Sequence, residues 1–103
     1  MASYIARVEL HGGSAEDYSN LNNALGTLGF SRAVVGDNGV AVQLPTGQYV
    51  GTGEFTANQI SEIVQSAALK TKKGFAILVS DFTTAAWFGL DPVEAPAVAA
   101  AAK

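Results

Sequence analysis

The N-terminal segment of the chain alternates apolar and polar residues over Ser3–Leu10. Its even positions hold Tyr, Ala, Val and Leu, whereas its odd positions include Ile5, Arg7 and Glu9. A period of two is typical of a β-strand with one buried face. The segment therefore predicts a strand that turns Tyr4 inward and Arg7 outward, and the turn residues His11-Gly12-Gly13 end it.

Two later stretches show the three- and four-residue spacing of amphipathic helices. Their apolar stripes are Tyr18, Leu21, Leu25 and Leu28 in the first, and Ile60, Ile63, Val64 and Ala67 in the second. Ser14 followed by Asp17 is a capping-box pattern in front of the first stripe. Thr56 and Gln59 repeat that pattern in front of the second stripe, which should end near Lys72.

Three further apolar runs predict strands, namely Phe30–Val35, Gln48–Glu54 and Phe75–Phe82. Val40–Leu44 either extends the first of these or forms a short hairpin of its own. The order βαββαβ indicates an α+β, ferredoxin-like fold, with a four-stranded antiparallel sheet and both helices on one face. We assign residues 1–90 to this domain and expect residues 91–103, an Ala/Pro-rich stretch, to form a flexible tail.

Composition limits what the protein can bind. Hydrophobic residues make up 49% of the chain and charged residues 15%, so the domain should bury more than one layer of side chains or bury a face against a partner. The net charge of −3 argues against broad electrostatic binding of nucleic acid but is compatible with a local basic patch. The chain has no cysteine, no apolar run of about 18 residues and no signal-peptide pattern. We expect a cytoplasmic protein without membrane contact, metal, cofactor or small-molecule ligand.

A set of fold-level features runs from Tyr4 to about Val64. It comprises a first strand ending in an acid, a helix with the Tyr18 stripe, an aromatic start to the next strand, the pair Gln43-Leu44, and a second helix that begins small-polar-polar-Ile. With these residues the chain resembles the GhoS-type antitoxin family, whose fold is in turn similar to that of the Cas2 proteins of CRISPR systems. The resemblance implies a Cas2-like ferredoxin domain and small dimer-forming proteins.

The same resemblance implies an activity. GhoS looks like a sequence-selective endoribonuclease that silences the message of a membrane toxin, and its first helix presents arginines to solvent. The matching positions here are Asn20 and Asn22, so this chain departs from the family's pattern in that helix. Cas2 nucleases are implied to use an aspartate at the end of the first strand, where the nearest residue here is Glu9.

One row of side chains carries candidate catalytic chemistry. Residues two apart on a strand share a face, which puts Arg7, Glu9 and His11 in line on the open side of the predicted sheet. An arginine can hold a phosphate and an imidazole can move a proton, as ribonuclease chemistry requires. The alternative is a surface row with a weak ion pair and no catalytic role.

Three lysines near the end of the second predicted helix form a candidate nucleic-acid contact. Lys70, Lys72 and Lys73 could bind a phosphate backbone. The alternative is that they are solubilising cations favoured by the dipole at a helix C-terminus.

Large apolar side chains follow the last predicted strand. Trp87, Phe88 and Leu90 either fold back on the domain or dock on a second subunit. Together with Ile5 on the open face they predict a homodimer, because an exposed apolar patch usually marks an interaction surface.

Three function classes remain open from the sequence. The first is an antitoxin-like or regulatory protein that binds RNA or a protein partner without catalysis. The second is a small endoribonuclease, metal-assisted or metal-independent, that uses Glu9 with Arg7 and His11. The third is a homodimeric module of unknown role. The first is preferred for two reasons. The helix arginines that the resemblance implies have no counterpart in this chain, and a single carboxylate supplies too few oxygen ligands for two-metal chemistry.

Overall fold

The computed structural model describes residues 2–93. Within this range the elements are β1 (Ala2–His11), α1 (Ala15–Thr27), β2 (Ala33–Val35), β3 (Ala41–Gln43), β4 (Gln48–Gly53), α2 (Ala57–Leu69) and β5 (Gly74–Phe82). β1 lies between β4 and β5 in a three-stranded antiparallel sheet, while β2 and β3 form a two-stranded antiparallel sheet. The fold class is α+β, as the element order predicts.

The prediction of one four-stranded sheet is not met as stated. Ser31 exchanges two main-chain hydrogen bonds of 2.8 Å with Val50 of β4, in the place where a fourth strand would begin. The Ser31 hydroxyl then accepts a hydrogen bond from the Ala33 N–H at 3.0 Å. Such a local side-chain bond competes with a regular ladder. The chain accordingly leaves β4 after one residue pair, and β2 pairs with β3 as a separate hairpin.

The core lies between the three-stranded sheet and both helices. The even-numbered residues of β1 are buried there, as the alternation predicts, and Tyr4 is fully enclosed. Its partners from the helices are Leu21 and Leu25 of α1 and Ile60, Val64, Ala67 and Ala68 of α2. The Tyr4 hydroxyl also donates to the Phe55 carbonyl and accepts from the Phe55 N–H, which fixes the loop ahead of α2. The opposite side of β1 is left open.

Both predicted capping boxes are present. The Ser14 hydroxyl accepts from the Asp17 N–H at 3.1 Å and the Asp17 carboxylate accepts from the Ser14 N–H at 2.9 Å. This main-chain hydrogen bond from Ser14 holds the pKa of the Asp17 carboxyl below its ordinary value. α2 ends at Leu69, a few residues before the predicted end near Lys72–Gly74, and the turn that follows it holds Lys72 at a positive φ of 62°.

The chain beyond β5 returns to the hairpin. The Asp91 carbonyl accepts a hydrogen bond from the Gln43 N–H at 2.9 Å, and the Val93 N–H donates to the Ala41 carbonyl at 3.0 Å. Residues 91–93 therefore lie along β3. The rest of the predicted flexible tail, residues 94–103, lies outside the described residues.

Candidate functional site

The open face of the sheet carries the odd-numbered residues of β1. Three rows of side chains cross it from β4 through β1 to β5, namely Thr52–Ser3–Phe82, Val50–Ile5–Ser80 and Gln48–Arg7–Leu78. Glu9 and His11 continue β1 opposite Ala76 and Gly74 of β5. One half of the face is thus uncharged and the other half carries the ionisable groups.

Arg7, Glu9 and His11 form what we call the open-face column. All three are exposed and lie on one side of β1, as the strand prediction requires. Successive members are two residues apart, which corresponds to about 7 Å along the strand. The His11 ring lies against Gly74, where an added Cβ would stand 3.1 Å from its Nδ1. The column therefore presents a cation, a carboxylate and an imidazole in sequence to solvent.

A groove of about 560 Å³ runs beside Arg7 and Glu9 of this column, and we call it the Arg7 groove. Arg7 and Glu9 form one wall, and the turn Thr46-Gly47-Gln48 forms another. Gly47 has a φ of 82°, and its carbonyl accepts from the Val8 N–H at 2.7 Å. A Cβ at Gly47 would overlap the Val8 carbonyl oxygen. The wall of the groove thus depends on a glycine pressed against β1.

The three lysines lie at the His11 end of the sheet. Lys70 caps α2, and Lys72 and Lys73 belong to the turn that leads into Gly74, the partner of His11. All three are exposed. The Nζ of Lys73 stands 3.8 Å from Asp17 Oδ2, the one ion pair within residues 2–93. The structure thus brings the lysines to the His11 end of the sheet, where Lys73 is paired with α1 on the helix side.

The structure places the residues proposed for a dimer interface in two different environments. Ile5, Trp87 and Leu90 line a trough of about 1100 Å³ between the open face, the β2–β3 hairpin and the segment after β5, which we call the Trp87 trough. Phe88 is fully exposed. Trp87 and Leu90 have therefore folded back towards their own chain. That a second copy of the chain covers them stays a prediction.

A comparison with known protein families shows to which family the chain belongs. The family model described as "Endoribonuclease GhoS" matches residues 1–88. The chain belongs to the GhoS family. The match confirms the resemblance seen in the sequence and extends it past Val64, so that it also includes the lysine turn and Trp87 of this GhoS-family protein. No individual curated protein matches the chain.

The asparagines that take the place of the GhoS helix arginines have different surroundings. Asn20 is exposed, whereas the half-buried side chain of Asn22 accepts a hydrogen bond from the Tyr49 hydroxyl at 2.5 Å. Tyr49 is 1% exposed, and this burial raises its pKa to about 12. Asn22 thus supports the core of this GhoS-family chain, a role that its position in the sequence does not indicate.

The Tyr49 phenol gives a testable pH dependence. Its folded pKa of about 12 lies above the ordinary value of 10.0, so its contribution to stability is complete below pH 10 and is lost as pH rises towards 12. Tyr49→Phe should cost about 1 kcal/mol at pH 8 through the lost hydrogen bond. At pH 11 the difference should shrink, since only the wild type carries the phenol. Urea unfolding at both pH values measures this, and a constant difference would contradict the assignment.

Two further features concern metals and membranes. Among residues 2–93, His, Asp and Glu side chains do not gather in a group of three or more that could hold a metal ion. Neither helix in that range is long and apolar enough to cross a bilayer. The expectation that this GhoS-family chain works without a metal or cofactor stays a prediction.

Proposed function

We propose that this GhoS-family protein acts on single-stranded RNA at the open face of its sheet, as an antitoxin-like regulator of a transcript in the cytoplasm. The observation that carries the proposal is the open-face column, in which Arg7 stands next to a groove and in line with Glu9 and His11. An arginine at a groove is suited to a phosphate, because its planar group donates two parallel hydrogen bonds.

The charge distribution favours a single strand over a duplex. The chain has a net charge of −3, and a duplex is generally held by a broad basic surface. Single-stranded RNA offers one backbone that a narrow set of cations can follow. Arg7 at the groove and the Lys70–Lys73 turn at the His11 end of the sheet provide cations at two separate points. In this proposal the RNA backbone runs along the open-face column from Arg7 towards the lysines.

Arg7→Gln tests the binding proposal. Removal of one phosphate contact should weaken the binding of a single-stranded RNA about 10-fold and lower the slope of log affinity against log salt by about 0.7. Fluorescence anisotropy with a labelled oligoribonucleotide at several salt concentrations measures both quantities.

Arg7→Lys is the matched control for this experiment. It keeps the charge and should restore most of the salt slope, whereas the lost bidentate geometry leaves the affinity somewhat reduced. An Arg7→Gln variant with the affinity and slope of the wild type would reject Arg7 as a phosphate ligand and the proposal with it.

RNA cleavage is the second candidate function. It is favoured by the family description as an endoribonuclease and by the spacing of Glu9 and His11, which leaves room for one phosphodiester between them. Glu9 would take the proton of the ribose 2′-hydroxyl, and the 2′-oxygen would attack the adjacent phosphorus. The bond from phosphorus to the 5′-oxygen would break, and protonated His11 would give its proton to that oxygen. The products are a 2′,3′-cyclic phosphate and a 5′-hydroxyl.

Arg7 completes this proposed reaction. Its guanidinium would offset the negative charge that builds up on the phosphate oxygens in the transition state.

The predicted homodimer would use the uncharged half of the same face, through Ile5, Trp87 and Leu90 with Phe88 at its edge. The RNA backbone would follow the charged half, and sedimentation equilibrium of the free protein at micromolar concentration distinguishes a monomer from a dimer.

A further inference from the structure

We propose that the Trp87 trough is a binding site for unpaired nucleobases, with one base stacked on the Trp87 indole. The inference rests on the proposed function and adds to it the element that recognises the RNA bases rather than the backbone. The volume of about 1100 Å³ lies slightly above the usual range for ligand sites, so more than one nucleotide fits.

The indole of Trp87 packs against the β2–β3 hairpin. Its Cζ2 lies so close to Gly36 of the hairpin that a Cβ there would stand 3.3 Å away. Trp87 is nevertheless 38% exposed, although tryptophan is usually well buried in a folded domain. A large aromatic ring that is held at the wall of an open trough is the arrangement on which bases stack in proteins that bind single strands.

The charge and polarity of the lining fit a neutral base better than a phosphate. Asp37 is the one charged residue among those that line the trough in the described part of the chain, and no lysine or arginine is among them. Gln48 and Thr52 also line it, and their side chains make no hydrogen bond to another group within residues 2–93. They are available to the donors and acceptors of a base edge, whereas a phosphate would be repelled by Asp37 and met by no cation.

The trough is continuous with the Arg7 groove. Gln48 lines both, and it lies directly opposite Arg7 in the sheet register. A strand whose phosphate contacts Arg7 would therefore enter the trough with the neighbouring nucleotide. The backbone contact and the base contact belong to one path across the open face.

Trp87 is the only tryptophan of the chain, so its fluorescence reports on the trough directly. The probe is a single-stranded 2′-O-methyl octaribonucleotide, which cannot be cleaved through its 2′-oxygens, and a second version has abasic sites in place of its central bases. We expect the first version to quench Trp87 emission on binding and the abasic version to bind more weakly without quenching.

Substitutions at the trough complete the test. Trp87→Ala should weaken binding of the intact octamer about 5- to 150-fold, the range for loss of one base–aromatic stack. Trp87→Phe should keep most of the affinity, since it keeps an aromatic face. Phe88→Ala is the matched control and should leave the RNA affinity and the quenching unchanged, because Phe88 is fully exposed and does not line the trough.

The outcomes separate the two proposals. If Arg7→Gln weakens binding but Trp87→Ala and the abasic sites do not, base recognition in the trough is wrong and the proposed function stands. If the wild type binds no RNA, both proposals fail. If Trp87→Ala converts a dimer to a monomer and leaves RNA affinity unchanged, the trough belongs to a second copy of the chain and the inference is overturned.

Discussion

Replacement of Glu9 by glutamine is expected to lower the rate of RNA cleavage by about 100- to 10,000-fold, the usual contribution of a general base. The amide has nearly the same shape as the carboxyl group but cannot take the 2′-hydroxyl proton. Glu9 is exposed on the open face and takes no part in the core, so the fold should be unaffected. RNA affinity should stay within a few-fold, because Arg7 and the trough are intact.

Single-turnover cleavage of an end-labelled RNA, with detection of the 2′,3′-cyclic phosphate, measures this effect. Glu62→Gln is the control, since Glu62 is also exposed but lies on α2, across the sheet from the column. A Glu9→Gln variant that cleaves as fast as the wild type would exclude Glu9 as the base. A wild type that binds RNA and leaves it intact would instead support the noncatalytic, antitoxin-like function.

Gly47→Ala should destabilise the domain by about 3 kcal/mol or more. A residue with a Cβ is strained at the φ of 82°, which costs roughly 1–2 kcal/mol. The added carbon would also overlap the Val8 carbonyl oxygen, and a backbone atom of the central strand cannot move aside as a flexible side chain can. Relief of the overlap would break the 2.7 Å hydrogen bond from the Val8 N–H to Gly47 and open the Arg7 groove.

Gly39→Ala separates the two causes of this loss. Gly39 has nearly the same φ, 79°, but an added Cβ there meets nothing within 4 Å. Its loss should stay at about 1–2 kcal/mol, the conformational part alone. Urea unfolding of both variants gives the comparison, and equal losses would show that the close approach of Gly47 to β1 has no energetic consequence.

Local patterns account for the part of the fold that the sequence predicts. The alternation in β1, the two helical stripes and the capping boxes at Ser14 and Thr56 depend on residues within a few positions of each other. All appear in the structure except Leu28, which follows the end of α1 and is exposed. The division into two sheets is harder to predict. It depends on whether the main chain at Ser31 continues beside β4 or bends with the help of its own hydroxyl, and both conformations suit the same apolar run.

The candidate site likewise has one part that the sequence predicts and one part that it does not. The open-face column is predictable, because a strand places every second residue on one side. The trough is not, because it requires Trp87 to reach Gly36 and Gln48 to lie opposite Arg7, and these pairs are far apart in the chain. Large apolar residues after the last strand are an indication of a contact, but they do not tell whether it is made within the chain or with a partner.

The central position of β1 has a consequence for how the protein is made. β1 leaves the ribosome before the other six elements of this fold, yet it pairs with β4 on one side and with β5, the last of these strands, on the other. The ladder from His11–Gly74 to Ser3–Phe82 cannot close until almost the whole domain has been synthesised. Contacts between such distant segments slow folding. We therefore expect the nascent chain to carry β1, with one apolar face and an unpaired edge, until β5 has emerged.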